Sequence, residues 1–72
     1  MLDWNQCSEV ELHADVMSGT WVFKGTRIQV KALFLNLEDG ATVDEFVAWF
    51  PGVSRHQVEA ALAFAEKSLT AP

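Results

Sequence analysis

Residues 24–30 read KGTRIQV, inside the longer stretch TWVFKGTRIQVKALFLNL of residues 20–37. Before Gly25 the stretch is rich in aromatic and β-branched residues, which favours a strand. After it, apolar residues recur at the spacing of one helix face: Val30, Leu33, Phe34 and Leu37. Gly25 lets the backbone turn where a side chain would clash, and Thr26 can bond to the local backbone. The stretch therefore predicts a joint between a strand and a helix.

The same joint carries three of the five basic residues of the chain: Lys24, Arg27 and Lys31. One interpretation is structural, with Arg27 reaching a neighbouring carboxylate. The other is a basic edge that meets DNA phosphates or an acidic partner surface. The formal net charge of −5 disfavours nonspecific binding to nucleic acid, because the long-range field repels a polyanion.

The remaining patterns predict a mainly α protein of one domain, residues 1–72, with a short N-terminal β-hairpin before three helices. Strands are expected at about residues 9–13 and 20–23, with a turn at Ser18-Gly19 between them. Helices are expected at about residues 29–39, 42–50 and 54–68, the first of them ended by Gly40.

Two capping boxes fix the starts of the second and third helices, Thr42 with Glu45 and Ser54 with Gln57. Val53 and Val58 have the spacing of a hydrophobic staple at the third helix. The apolar face of that helix is expected to consist of Val58, Ala61, Leu62, Ala65 and Leu69. Pro51 ends the second helix, since it lacks a backbone donor.

The second and third helices are joined by about four residues, which is typical of a helix-turn-helix unit and equally of a plain helical hairpin. Ala48, four positions before Gly52, is expected to allow close approach of the two helices, and Val58 to fill their junction. A DNA-reading third helix would present Arg55, His56 and Gln57.

Catalysis is not expected, because the sequence shows no nucleophile–base pair, phosphate loop or metal-ligand cluster. His13 and His56 lie far apart without a nearby soft ligand, and Cys7 is interpreted as a buried or incidental thiol in a reducing compartment. We expect no metal, cofactor or small-molecule substrate. The sequence shows no signal peptide and no apolar run long enough to cross a membrane, so a cytoplasmic protein without membrane contact is expected.

Four motifs together resemble the domain-of-unknown-function family 433: GTRI at 25–28, LEDG at 37–40, DEF at 44–46 and FP at 50–51. The resemblance covers about residues 8–69. It implies a short β segment followed by a three-helix, homeodomain-like helix-turn-helix unit, often dimeric. It also implies an antitoxin that neutralises a PIN-like nuclease toxin and represses its own operon. This chain has Gln29 where the family commonly has proline, which softens the start of the first helix.

Two functions are therefore carried forward. The first is a dimeric antitoxin that reads operator DNA through Arg55, His56 and Gln57, with Lys24, Arg27 and Lys31 on the phosphate backbone. The second is a homodimeric protein-interaction module without DNA binding. Its interface is expected at the second strand: Trp21, Val22 and Phe23.

Overall fold

Residues 3–13 and 19–69 are described by a computed structural model of the chain. A 3₁₀ turn, Trp4–Gln6, precedes two strands, β1 (Val10–His13) and β2 (Thr20–Phe23), and three helices, α1 (Val30–Glu38), α2 (Val43–Trp49) and α3 (Arg55–Lys67). The expected order, a short antiparallel two-stranded sheet followed by three helices in a mainly α chain, is confirmed. Each helix begins and ends one residue inside its expected bounds. Ser18 of the expected turn lies outside the described residues.

The strands pair antiparallel, with Val10 opposite Phe23 and Leu12 opposite Trp21. A bond from the Lys24 amide to the Glu9 carbonyl, 2.9 Å, continues this pairing by one residue. Residues directly opposite one another share a face of the sheet, so the buried Val10 and Phe23 both point to the core that the helices complete.

Four of the hydrogen bonds that hold the joint after β2 lie within residues 23–28. The amide of Phe23 donates to the carbonyl of Ile28 and the amide of Thr26 to that of Phe23, each at 2.9 Å. The Thr26 hydroxyl donates to Phe23 O at 2.8 Å and accepts from the Ile28 amide at 3.0 Å. The expected local bonding of Thr26 is thereby confirmed.

Gly25 is needed for its backbone conformation. Its φ is +79°, in the left-handed region that favours glycine, while no heavy atom outside its chain neighbours lies within 4 Å of a Cβ built there. The expectation that a side chain would clash is therefore wrong, since the space is open and the positive φ is what requires glycine.

Both capping boxes are confirmed. The Thr42 and Ser54 hydroxyls accept from the amides of Glu45 and Gln57, and the latter two side chains accept in return from the cap amides. Gln29, at the start of α1, makes no side-chain cap and instead forms a β-bridge with Val22. Gly40, at φ +102°, follows the end of α1, as expected.

The core lies between the hairpin and the three helices, centred on Phe23, Leu33, Phe46 and Val58, all fully buried. Trp4 packs against it, with its ring centroid 4.8 Å from that of Phe64 and 6.4 Å from that of Phe34. Cys7 is buried. The 3₁₀ turn is thereby tied to α1 and α3.

Two expectations about helix faces are wrong. Ala48 is exposed, because it follows the buried Phe46 by two positions and so points to the opposite side of α2. Leu69 is 85% exposed, because α3 ends at Lys67 and the helical spacing no longer places it over the core. Val53 and Val58 are both buried, consistent with the expected staple.

A pair of glycine substitutions tests the joint. We expect Gly25→Ala to lower the free energy of unfolding by about 1–2 kcal/mol, because alanine disfavours a positive φ. Gly52→Ala is the control: Gly52 has no positive φ, and its added Cβ would meet Ile28 Cδ1 at an ordinary 3.5 Å. Urea denaturation measures both, and an equal loss in the two variants would contradict this account of the joint.

Candidate functional site

The joint and the start of α3 lie side by side. The Gln57 side-chain amide donates to the carbonyl of Lys24 at 2.9 Å. A Cβ on Gly52, in the α2–α3 turn, would come within 4 Å of the Ile28 and Thr26 side chains. We call the surface that carries Lys24, Arg55, His56 and Gln57 the joint face. It brings together four of the six residues proposed to contact DNA.

Arg55 is engaged by carboxylates of its own chain. Its Nε lies 2.9 Å from Glu59 Oε2, one helical turn along α3, and its Nη1 pairs with the Asp44 carboxylate of α2. Hydrogen bonds to Glu59 and then to Asp44 raise the pKa of the guanidinium further above its ordinary value. Exposed pairs of this kind add little stability, but they engage Nε and Nη1, so contact with a base edge would compete with Glu59 and Asp44 for these donors.

The other two reading residues are constrained as well. Gln57 uses its side-chain oxygen for the Ser54 amide, at 3.0 Å, and its nitrogen for Lys24. His56 is exposed, with Nε2 3.5 Å from Glu9 Oε2, so a carboxylate stands beside it. The first turn of α3 therefore presents no side chain free of neighbouring acidic or structural partners for base reading.

Lys24, Arg27 and Lys31 are exposed, and none of them has a carboxylate partner among residues 3–13 and 19–69. The expected contact of Arg27 with a carboxylate is absent from that part of the chain. Lys31 lines an apolar pocket beside Trp21 that neither Lys24 nor Arg27 lines. The structure keeps three uncompensated cations but does not show them as one continuous stripe.

A second surface is the outer edge of β1, which we call the hairpin edge. The bond from Lys24 to Glu9 makes those two a hydrogen-bonded pair, and such pairs alternate along an antiparallel ladder. The backbone N–H and C=O of Leu12 must therefore point away from β2. The Leu12 side chain is itself 54% exposed. Within the described chain the sheet has two strands, so this edge has no partner strand.

An apolar pocket of about 280 Å³ adjoins the hairpin on the side of Trp21. Its lining consists of Trp4, Thr20, Trp21, Val30, Lys31 and Phe34. The sequence patterns did not predict that Trp4 and Phe34 line this pocket. The aromatic content of the chain was a signal, but it did not show which rings a pocket would expose.

The interface proposed at β2 must be corrected for two of its three residues. Val22 and Phe23 are fully buried within the single chain, Phe23 beneath the helices and Val22 on the other face of the sheet. Their side chains offer no surface to a partner. Trp21 is half-buried and lines the pocket, so it alone remains a candidate contact.

Across residues 3–13 and 19–69, no group of three His, Cys, Asp or Glu side chains is placed to hold a metal ion. In the same part of the chain, no helix has the length and apolar character needed to cross a bilayer.

One comparison with known proteins gives a match. A family model described as "Protein of unknown function (DUF433)" matches residues 10–65. No curated protein and no solved structure matches the chain. The matched range includes both strands, α1, α2, all but the last two residues of α3 and every residue of the joint face.

The Gln57–Lys24 bond can be tested by amide hydrogen exchange. We expect Gln57→Ala to speed exchange at the Thr26 and Ile28 amides by about fivefold, because losing one net hydrogen bond of about 1 kcal/mol loosens the joint. Ser54→Ala is the control, since it weakens the same helix cap but leaves the bond to Lys24 intact. Equal acceleration at both amides in the two variants would refute a specific role for that bond.

Proposed function

The chain belongs to the DUF433 family, whose description names no activity, and we propose that it is a non-catalytic protein-binding module that forms a homodimer. The observation that carries this proposal is Leu12, which combines a half-exposed apolar side chain with backbone groups that point outward from a strand edge that has no partner strand among residues 3–13 and 19–69.

An open strand edge is a template for pairing with another strand. Two copies of β1, related by a twofold axis, would join their hairpins into one four-stranded antiparallel sheet. That pairing would satisfy the backbone of Leu12 and cover its side chain. Trp21 lies opposite Leu12 on β2, on the same sheet face, so the pocket that Trp21 lines would adjoin the interface.

The family resemblance implies that this module is the antitoxin of a PIN-like nuclease toxin. The folded surface would then bind the toxin, with the apolar pocket beside Trp21 as a place for a side chain of the toxin. Capture of the product of the adjacent gene by tagged protein, lost in a Trp21→Ala variant that stays folded, would support that role.

Homodimerisation is tested by light scattering. We expect the wild-type chain to have twice the monomer mass and Leu12→Lys to be monomeric, because a lysine on an edge strand opposes pairing. Leu35→Lys is the matched control, since Leu35 lies on α1 with a similar exposure of 50%. A monomeric wild type, or identical behaviour of the two variants, would overturn the proposed interface.

DNA binding is a second candidate, favoured by Lys24, Arg27 and Lys31, which have no carboxylate partner in the described part of the chain. In this role α2 and α3 form a homeodomain-like helix-turn-helix unit, and Lys24, Arg27 and Lys31 contact phosphates of operator DNA. Because Arg55 and Gln57 are engaged within the chain, binding would rest on the phosphate backbone and discriminate weakly among sequences.

We expect Arg27→Ala to weaken binding to every duplex alike and to reduce the dependence of log K on log salt by about one. Lys67→Ala, which removes a cation at the far end of α3, serves as control. Fluorescence anisotropy with the duplex upstream of the gene and a scrambled duplex measures both. Equal effects of Arg27→Ala and Lys67→Ala would exclude the joint as the DNA-binding surface.

A further inference from the structure

A pocket of about 290 Å³ lies between the end of α1 and the helix α2. We call it the Trp49 pocket. Its lining consists of Asn36, Asp39, Gly40, Ala41, Glu45 and Trp49. It shares no lining residue with the apolar pocket beside the hairpin, and neither proposed function uses it.

Trp49 is the unusual member of this lining. Its side chain is 56% exposed, whereas tryptophan is on average highly buried in folded proteins. It is the last residue of α2 and lies three positions after Phe46, which fills the core. An indole that is left in solvent beside a pocket is a common anchor for a binding partner.

The polar groups of the pocket are almost all acceptors. The Asn36 side-chain nitrogen donates one of its two N–H groups to the Ala32 carbonyl at 2.7 Å, and the amide oxygen remains an acceptor. Glu45 commits one oxygen to the Thr42 amide and keeps the other. The Asp39 carboxylate has no partner within the described chain.

Backbone donors do not change this balance. The amide of Gly40 donates to Leu37 O and the amide of Ala41 to Asn36 O, each at 3.0 Å. The amide of Glu45 is taken by the Thr42 hydroxyl. Apart from the indole N–H of Trp49 and the second N–H of the Asn36 amide, the polar groups of the lining described here are oxygen acceptors, two of them carboxylates, which favours a ligand that brings donors.

The charge around the pocket has the same sign. Glu38 and Asp44 are exposed beside Asp39 and Glu45 in the sequence, and no lysine or arginine lines the pocket. The guanidinium of Arg55, the cation that pairs with Asp44, also pairs with Glu59. A cation entering here would gain two carboxylates without displacing a cation of the lining.

We propose that the Trp49 pocket binds an arginine side chain of a protein partner. This inference rests on the proposed function as a protein-binding module and adds a second contact surface with a defined chemistry. A guanidinium carries five N–H donors in a plane, so it can bond to the Asp39 and Glu45 carboxylates while it stacks on the indole of Trp49. A lysine ammonium brings three donors on a compact head and stacks less well.

Nuclear magnetic resonance titration with a blocked peptide, acetyl-Gly-Gly-Arg-Gly-Gly-amide, tests this proposal. We expect saturable shifts of the Trp49 indole signal and of the Gly40 and Ala41 amides. Glu45→Gln keeps the capping oxygen but removes the charge, and it should weaken binding about fivefold, as loss of a charge-assisted bond does. Trp49→Ala should weaken it about two- to fivefold.

Glu66→Gln is the matched control, since it removes an exposed carboxylate from α3, outside the pocket. Equal weakening by Glu66→Gln and Glu45→Gln would overturn the site in favour of nonspecific attraction. Equal binding of the peptide with neutral citrulline in place of arginine would do the same. Tighter binding of tetramethylammonium than of the arginine peptide would overturn the assignment of a protein side chain.

The oligomeric state of each sample separates this inference from the proposed homodimer. Glu45→Gln and Trp49→Ala lie away from the hairpin edge and should leave the mass unchanged while they weaken peptide binding. A monomeric wild type that still binds the peptide would refute the homodimer and keep the arginine site. A dimeric wild type that fails to bind it would refute the arginine site alone.

Discussion

The two hydrogen bonds of the Thr26 hydroxyl stabilise the turn that connects β2 to α1. By accepting from Ile28 and donating to Phe23, the hydroxyl closes a turn that Gly25 opens with its positive φ. The turn places β2 beneath the helices and sets the direction of α1. The α2–α3 turn then packs on the joint at Gly52, and α3 is tied to it through Gln57. Each later element therefore takes its position from this short loop.

Structural contacts also limit the binding chemistry of the first turn of α3. Residues there complete a capping box, bind the joint and pair with the acidic residues of α2 and α3. In a chain of this length, few side chains have no structural role. The free surface chemistry lies elsewhere, in the hairpin edge, in the cations of the joint and in the exposed indole of Trp49. We regard these as the parts of the molecule on which partners act.

Local patterns predicted the secondary structure well, because caps and turns are decided by residues three or four apart. The capping boxes at Thr42 and Ser54 and the glycine at the end of α1 belong to this class. Burial across elements was harder to predict. Ala48 was assigned to the helix contact, yet it faces solvent, and Val22 was assigned to a surface, yet it is buried. The spacing within one helix or strand does not reveal which other element covers its face. The contacts of Arg55 with Asp44 and of Gln57 with Lys24 likewise depend on how separate elements pack together. The sequence therefore indicated Arg55 and Gln57 as site residues but did not reveal the residues that they contact.

The order of the elements along the chain has a consequence during synthesis. The hairpin leaves the ribosome before α2 and α3, although those helices supply Phe46 and Val58, which complete the core around Phe23. An isolated two-stranded hairpin is marginal in water, so its apolar face stays uncovered until the helices follow. The helices α2 and α3, in contrast, carry their own start signals, the capping boxes at Thr42 and Ser54. The nascent chain therefore exposes the apolar face of the hairpin for the interval between the emergence of β2 and that of α3.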